Sequence, residues 1–252
     1  MLQSVLWAAQ GTLFTFVMTT LGAALVFFLS AAPDSRIQRL LLGFAAGVMT
    51  AASVWSLLLP AIEQMETNGL LPGWVPAAGG VLLGVMFLAV LDALLPWLRR
   101  RSLEECQRQA ALLMTAITLH NIPEGMAVGL AFALAAEGES LAAAGALALG
   151  VGIQNFPEGA AIALPLRQSG CSRGRAFLGG MLSGAVEPVF GVLVVLIASG
   201  VQTLLPWLLS FAAGAMLYVV VEELIPQAHS RGGTCGFTVG FLIMMVLDVA
   251  LG

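Results

Sequence analysis

Three glutamates, Glu124, Glu158 and Glu187, each interrupt a long apolar stretch, and this constrains the chain more than any other feature of its sequence. All ten basic residues are arginines placed in short polar connections between such stretches. An ionised carboxylate at the centre of a bilayer costs about 2.5–3.5 kcal/mol, so three without a counter-charge set roughly 8–10 kcal/mol against the fold. Positive charge must then come from outside the chain, as protons or a metal cation.

Composition supplies the bilayer in that argument. The 252 residues are 59% hydrophobic and 10% charged, with a mean hydropathy of +0.97, values of a polytopic membrane protein. A helix needs about 20 apolar residues to cross the hydrocarbon, and lipid-exposed backbone must satisfy its own hydrogen bonds. Eight stretches qualify, at 5–30, 40–63, 73–98, 108–136, 141–166, 175–200, 203–228 and 234–251. The expectation is an all-α bundle of eight spans forming a single transmembrane domain over 1–252. The first stretch is too long for a cleaved leader and lacks a positive n-region, so it reads as a retained span. Turn chemistry marks the breaks, as in Ala-Pro-Asp-Ser at 32–35, Thr-Asn-Gly at 67–69, Glu-Gly-Glu-Ser at 137–140 and Arg-Gly-Gly at 231–233. Cys106, Cys171 and Cys235 stand singly, with no C-x-x-C pair. No basic patch with interleaved aromatics supports nucleic-acid binding.

Arginine placement sets orientation. Arg36 and Arg39 lie in the first connection, Arg99, Arg100, Arg101 and Arg108 in the third, Arg167, Arg173 and Arg175 in the fifth and Arg231 in the seventh, and the even-numbered connections have none. By the positive-inside rule the odd connections are cytoplasmic and both termini face outside.

Two segments repeat each other: His120-Asn121-Ile122-Pro123-Glu124-Gly125 and Gln154-Asn155-Phe156-Pro157-Glu158-Gly159. They fall in spans four and five, which run in opposite directions, as in inverted-repeat transporters with a midplane site. On a helix His120 and Glu124 share a face, as do Gln154 and Glu158, with about 6 Å of rise within each pair. Pro123 and Pro157 remove an N–H from each helix, which predicts a bend beside the ligands. Imidazole, carboxylate and amide oxygen suit zinc foremost, with cadmium, iron(II), manganese, cobalt or nickel as alternatives, each as transported substrate with no resident cofactor. Carboxylates can bridge two ions about 3.5–4 Å apart. A binuclear version therefore has Glu124 and Glu158 as bridges, with Asn121, Asn155 and Glu187 completing a second position.

Further polar residues suggest a route to the site. Ser53 and Ser56 are expected to line it, Glu63 to draw cations to the external mouth, and Glu222, Glu223 and His229 to form an exit relay. Glu66 reads as a solvated end residue, while Asp92 and Asp248 stay ambiguous. Three rivals to a transporter are a passive metal channel, an intramembrane zinc metalloenzyme and a metal-binding protein without flux. The H-E-x-x-H signature of hydrolytic zinc sites is absent from the sequence.

The paired His-Asn-x-Pro-Glu-Gly and x-Asn-x-Pro-Glu-Gly signatures, within eight spans with external termini, resemble the ZIP (Zrt-, Irt-like protein) family of divalent-metal transporters, in its bacterial GufA-like branch. The resemblance covers essentially the whole chain. It implies a first metal site at His120, Glu124, Gln154 and Glu158 and a second at Asn121, Glu124, Asn155, Glu158 and Glu187. It also implies movement of metal into the cytoplasm, a homodimer, residence in the bacterial inner membrane, and spans one, four, five and six moving as a unit. Two departures stand out: many relatives carry histidine where Gln154 stands, and some carry aspartate in place of Asn155.

Overall fold

The computed structural model describes residues 2–28, 35–68, 71–98, 105–136, 138, 140–168, 170–200 and 204–251; of residues 35, 68, 95–98, 105–117, 119–120, 168, 199–200 and 251 it describes the backbone alone. Arg99, Arg100 and Arg101, the side chains of Cys106, Arg108 and His120, and most of the turns at 32–35 and 137–140 therefore lie outside the described residues.

The described residues are helical almost throughout. In chain order they form α1 (Leu2–Ala24), α2 (Ser35–Ala52), α3 (Leu59–Asn68), α4 (Trp74–Leu98), α5 (Glu105–Ala136), α6 (Leu141–Gln168), α7 (Arg173–Gly184), α8 (Val186–Gly200), α9 (Leu205–Val219), α10 (Ile225–Ala228) and α11 (Arg231–Leu251). Six stretches among them are long and apolar enough to cross a membrane: Leu2–Phe27, Arg36–Thr67, Trp74–Leu94, Arg173–Ala198, Leu205–Ala228 and Arg231–Ala250. The other two expected spans correspond to α5 and α6. At 32 and 28 residues they extend about 48 and 42 Å, against a hydrocarbon core of about 30 Å.

Two of these helices contain proline in their interior. α5 and α6 continue as α-helix through Pro123 and Pro157. Departures from α-geometry fall elsewhere. Between α2 and α3, Ser53–Leu58 is π-helical, closed by the Leu59 N–H on the Val54 carbonyl. Between α9 and α10, Val220–Leu224 is likewise π-helical, closed by the Ile225 N–H on the Val220 carbonyl. Pro60 and Pro226 follow directly, and the wider turn accommodates the N–H that each lacks. The third break is Ala185, between α7 and α8, three residues before Pro188.

Helix association in lipid depends on close packing, because lipid tails are as apolar as the side chains they would replace. Glycine provides that closeness along four helix pairs. Gly43 and Gly47 of α2 seat on the backbone of Gly233 and Phe237 of α11, and Gly236 and Gly240 seat in return on Leu40 and Phe44. Gly80 and Gly84 of α4 meet Trp207 and Phe211 of α9, while Gly214 meets Val81. Gly22 of α1 and Gly159 of α6 approach Phe156 and Thr19, and Gly125 and Gly129 of α5 approach Glu187 and Gly191 of α8. In the α2–α11, α4–α9 and α5–α8 pairs the residue numbers rise together, so these pairs run parallel. This is the pattern of helices that alternate in direction along the chain.

The contact order contains an internal symmetry. Exchanging α1 with α7–α8, α2 with α9, α4 with α11 and α5 with α6 turns the α1–α6 pair into α8–α5 and the α2–α11 pair into α9–α4. The two π segments exchange as well. Sequentially adjacent α5 and α6 exchange with each other, so the relation inverts direction, as the repeated motif implied. Two blocks result: α1, α5, α6 and α7–α8 pack mainly among themselves, as do α2, α3, α4 and α9 to α11.

Candidate metal centre

Asn121, Glu124, Gln154, Asn155 and Glu187 are each 0% exposed and Glu158 is 6% exposed, so six of the seven expected ligands are buried in one region of the bundle. Asn121 and Glu124 come from α5, Gln154, Asn155 and Glu158 from α6, and Glu187 from the first turn of α8. The seventh, His120, is on α5 one turn before Glu124, with its side chain outside the described residues. The six described arginines, Arg36, Arg39, Arg167, Arg173, Arg175 and Arg231, are all exposed, while the buried carboxylates lie within Coulombic reach of one another.

Hydrogen bonds tie the layers together. Gln154 Nε2 donates to Glu124 Oε1 at 2.5 Å, and Asn155 Nδ2 donates to Glu187 Oε2 at 2.9 Å. A carboxylate can only accept, so each amide must turn its nitrogen toward it and its oxygen away. Among the described residues, the oxygens so released, Gln154 Oε1 and Asn155 Oδ1, are buried without a hydrogen-bond partner, as are both polar atoms of the Asn121 amide. An orphaned buried acceptor costs about 1–3 kcal/mol, and a cation among these oxygens would remove that cost. Carboxylate and amide oxygen are donor types that suit a divalent ion. Among the described residues, no three histidine, cysteine, aspartate or glutamate side chains converge closely enough to hold a metal by themselves.

One residue missed in the sequence completes the arrangement. Thr12, Thr15 and Thr19 of α1 are all buried, and the Thr19 hydroxyl lies 3.2 Å from Glu187 Oε1. Glycines hold α1 there: a Cβ on Gly159 would strike the Thr19 carbonyl, and one on Gly184 would come within 2.9 Å of Thr19 Cβ. The available signal was the 12, 15, 19 spacing of polar residues on one face of an apolar helix.

The path residues divide. Ser53 is buried and its hydroxyl donates to the Met49 carbonyl of its own helix at 2.7 Å, so it does not face a route. Ser56 donates to Asp248 Oδ1 at 2.6 Å, and both line a cavity of about 220 Å³ with Glu63, Trp55, Ser140 and Ala144. At the other end a narrow crevice of about 40 Å³ runs between Gln38, Leu41 and Leu42 of α2 and Glu158, Ala161 and Pro165 of α6. Glu222 and His229 are exposed and Glu223 is half-buried. Glu222 and Glu223 belong to the π segment between α9 and α10, and His229 follows α10. Read along α6, Ala143 and Ala144 belong to the cavity, Leu147 and Val151 to the apolar core, Gln154 to Glu158 to the site, and Ala161 to Pro165 to the crevice.

A helical membrane bundle that buries a twice-repeated carboxylate and amide set around a midplane point has the build of a metal-ion transporter. Comparison with known proteins places it more closely. The model of the ZIP zinc transporter family matches residues 98–248. The chain is 39% identical to Zinc transporter ZIP11 of Xenopus tropicalis over 98% of each chain. It is also 40% identical to Zinc transporter GufA of Myxococcus xanthus over 87% of each, and 39% identical to Zinc transporter ZIPB of Bordetella bronchiseptica over 98% of this chain and 82% of that one. The chain belongs to the ZIP family, a family of transporters rather than enzymes.

Proposed function

We propose that this protein carries divalent transition-metal ions, zinc foremost, across the bacterial inner membrane into the cytoplasm by alternating access. The observation that carries the reading is the repeated Glu124/Gln154 and Glu158 set, buried at the centre of a membrane bundle with amide oxygens that no protein donor satisfies. His120, Glu124, Gln154 and Glu158 hold the ion, and Asn121, Asn155 and Glu187 form the adjoining layer. A metal bound by carboxylate and imidazole displaces protons from both, so loading releases protons at the site.

One-sided access supports alternation over a continuous pore. The crevice meets Glu158 from the end that carries Arg36, Arg39 and Arg167. On the opposite side, Met49, Leu57, Leu130, Leu147, Met216 and Met244 are fully buried, and the cavity of Ser56, Glu63 and Asp248 lies beyond them. By the arginine asymmetry that cavity is the external mouth, where Glu63 and Asp248 attract cations. Glu222, Glu223 and His229 then stand along the exit. A homodimer, implied by the family, belongs to this proposal too.

The test is zinc-65 uptake into proteoliposomes. Wild type accumulates zinc with saturation, and Glu158→Ala and His120→Ala each abolish it. Equal uptake by all three rejects the site, and uptake that rises without saturation indicates a channel.

A further inference from the structure

Where α2 starts beside α11, the bundle gathers arginine that its own elements do not balance. Arg36, Arg39 and Arg231, three of the six described arginines, are all exposed there. Glycine seats set their register. A Cβ on Gly43 would strike the Gly233 carbonyl, and one on Gly236 the Leu40 carbonyl. A helical carbonyl points one turn toward the C-terminus, so Gly43 is level with Gly236 and Leu40 with Gly233. Carried back toward the helix starts, this sets Arg39 level with Gly232, beside Arg231, with Arg36 about one turn further out. Consistent with that register, a Cβ on Gly233 would lie 3.2 Å from the Arg39 carbonyl.

α2 and α10 contain no carboxylate, and α11 contains only Asp248, at its far end. The π segment that packs on α2 carries Glu222 and Glu223, set deeper than Arg231 by the length of α10. Helix starts favour negative charge, so Arg36 and Arg231, in first turns, do not serve the helices that carry them. The turn before α11 is nonetheless fixed: Ser230 Oγ accepts from the Gly233 N–H and the Ser230 carbonyl from the Thr234 N–H, each at 2.9 Å. Next to these cations Ile37 and Leu40 of α2 and Val239 of α11 are exposed, on a surface that faces lipid. Guanidinium pairs with phosphate oxygens through two parallel hydrogen bonds. A cationic rim bordering lipid-facing apolar side chains therefore matches a molecule that joins phosphate to acyl chains.

We infer that Arg36, Arg39 and Arg231 bind the headgroup phosphate of an anionic phospholipid of the cytoplasmic leaflet, with its acyl chains along Ile37, Leu40 and Val239. The site uses none of the metal centre's side chains and depends only on the orientation that the arginines set. Its place beside the crevice has a consequence. Gln38 lies between Arg36 and Arg39 in sequence and, with Leu41 and Leu42, lines the opening that reaches Glu158. A lipid bound across the starts of α2 and α11 steadies that wall of the opening.

Fluorescently labelled phosphatidylglycerol, titrated against the purified full chain in detergent and followed by anisotropy, reads the site, with labelled phosphatidylcholine as the zwitterionic control. Each arginine at an anionic lipid surface contributes a factor of about five, so wild type binds phosphatidylglycerol well over ten-fold more tightly than phosphatidylcholine. Arg39→Gln combined with Arg231→Gln weakens phosphatidylglycerol binding by about 25-fold and leaves phosphatidylcholine binding within about two-fold. The same charge loss at the start of α7, Arg173→Gln combined with Arg175→Gln, changes neither lipid by more than about two-fold. Equal affinity of wild type for the two lipids overturns the inference. So does an equal loss in the α7 pair, which would mean diffuse surface charge, or displacement by inorganic phosphate as readily as by unlabelled phosphatidylglycerol, which would mean a site for free anions. Monodisperse elution shows that each variant has folded. Should the paired variant aggregate, Arg39→Gln and Arg231→Gln are read singly, and each loses about five-fold.

Discussion

Replacing Glu158 with glutamine should make the metal-free protein more stable and the zinc-exposed protein relatively less so. Without metal, Glu124 and Glu158 lie within each other's field, both buried, with every described arginine at the surface. Glutamine keeps the shape and removes one charge, relieving up to about 2.5–3.5 kcal/mol, the cost of a carboxylate at the bilayer centre. For a chain of this size each kcal/mol shifts the melting temperature by about 2–4 °C, so the metal-free variant should melt above metal-free wild type by up to about 5–14 °C. Zinc acts in the opposite sense. At 100 times its Kd it stabilises wild type by about 2.7 kcal/mol, a similar rise in melting temperature that the variant should lack. Thermal unfolding in detergent, followed by the fluorescence of the five tryptophans with chelator or zinc present, reads both numbers. A Glu158→Gln protein that melts below wild type in chelator, or that keeps the full zinc-induced rise, would refute the claim that these acids are held for a cation.

Three further outcomes follow from the same geometry. Zinc affinity should fall as pH is lowered, because the carboxylates and imidazole must be deprotonated to bind; a pH-independent Kd between about pH 5 and 7.5 would contradict a glutamate-centred site. A membrane-impermeant maleimide applied to intact cells should label Leu71→Cys, which is exposed in the second connection, and spare Cys171 and Cys235 until the cells are opened; the reverse pattern would invert the topology. Gly159→Val should cost upwards of about 1–3 kcal/mol and abolish uptake, since its side chain would be driven into the Thr19 carbonyl, where no flexible group can yield. An active, stable Gly159→Val protein would show that the α1–α6 seam is looser than described.

What could be read in the sequence was whatever repeats or stands out chemically against an apolar background. Span positions were legible because hydrocarbon sets a minimum length, and α4 and α11 agree with their expected stretches to within about three residues. The buried polar cluster was legible because a carboxylate in lipid is costly, and the repeated motif marked its neighbours. Thr19 escaped because a threonine in a membrane helix bonds to its own backbone at little cost, so its presence signals nothing until the helix facing it is known. Ser53 and Ser56 show the same limit from the other side. They look alike in sequence, yet one bonds back to Met49 and the other reaches Asp248 across 192 positions. Proline did not by itself distinguish its settings, since α5 and α6 continue as helix through Pro123 and Pro157 while π segments precede Pro60 and Pro226. Where a helix widens depends on its neighbours as well as on the missing N–H.

Among the described residues, every glycine that beds on another helix's backbone does so inside one of the two blocks; at the frontier between blocks Gly150 meets only the Met244 sulfur and a Val48 methyl. Backbone-to-backbone seats resist shear because nothing in them can rotate aside, whereas a thioether chain swings through three bonds. Cohesion is thus graded across the molecule, rigid within each half and yielding along a single plane. That plane passes beside Glu158, so under the proposed alternating access, sliding of the halves would expose one flank of Glu158 or the other without unseating any helix from its mate.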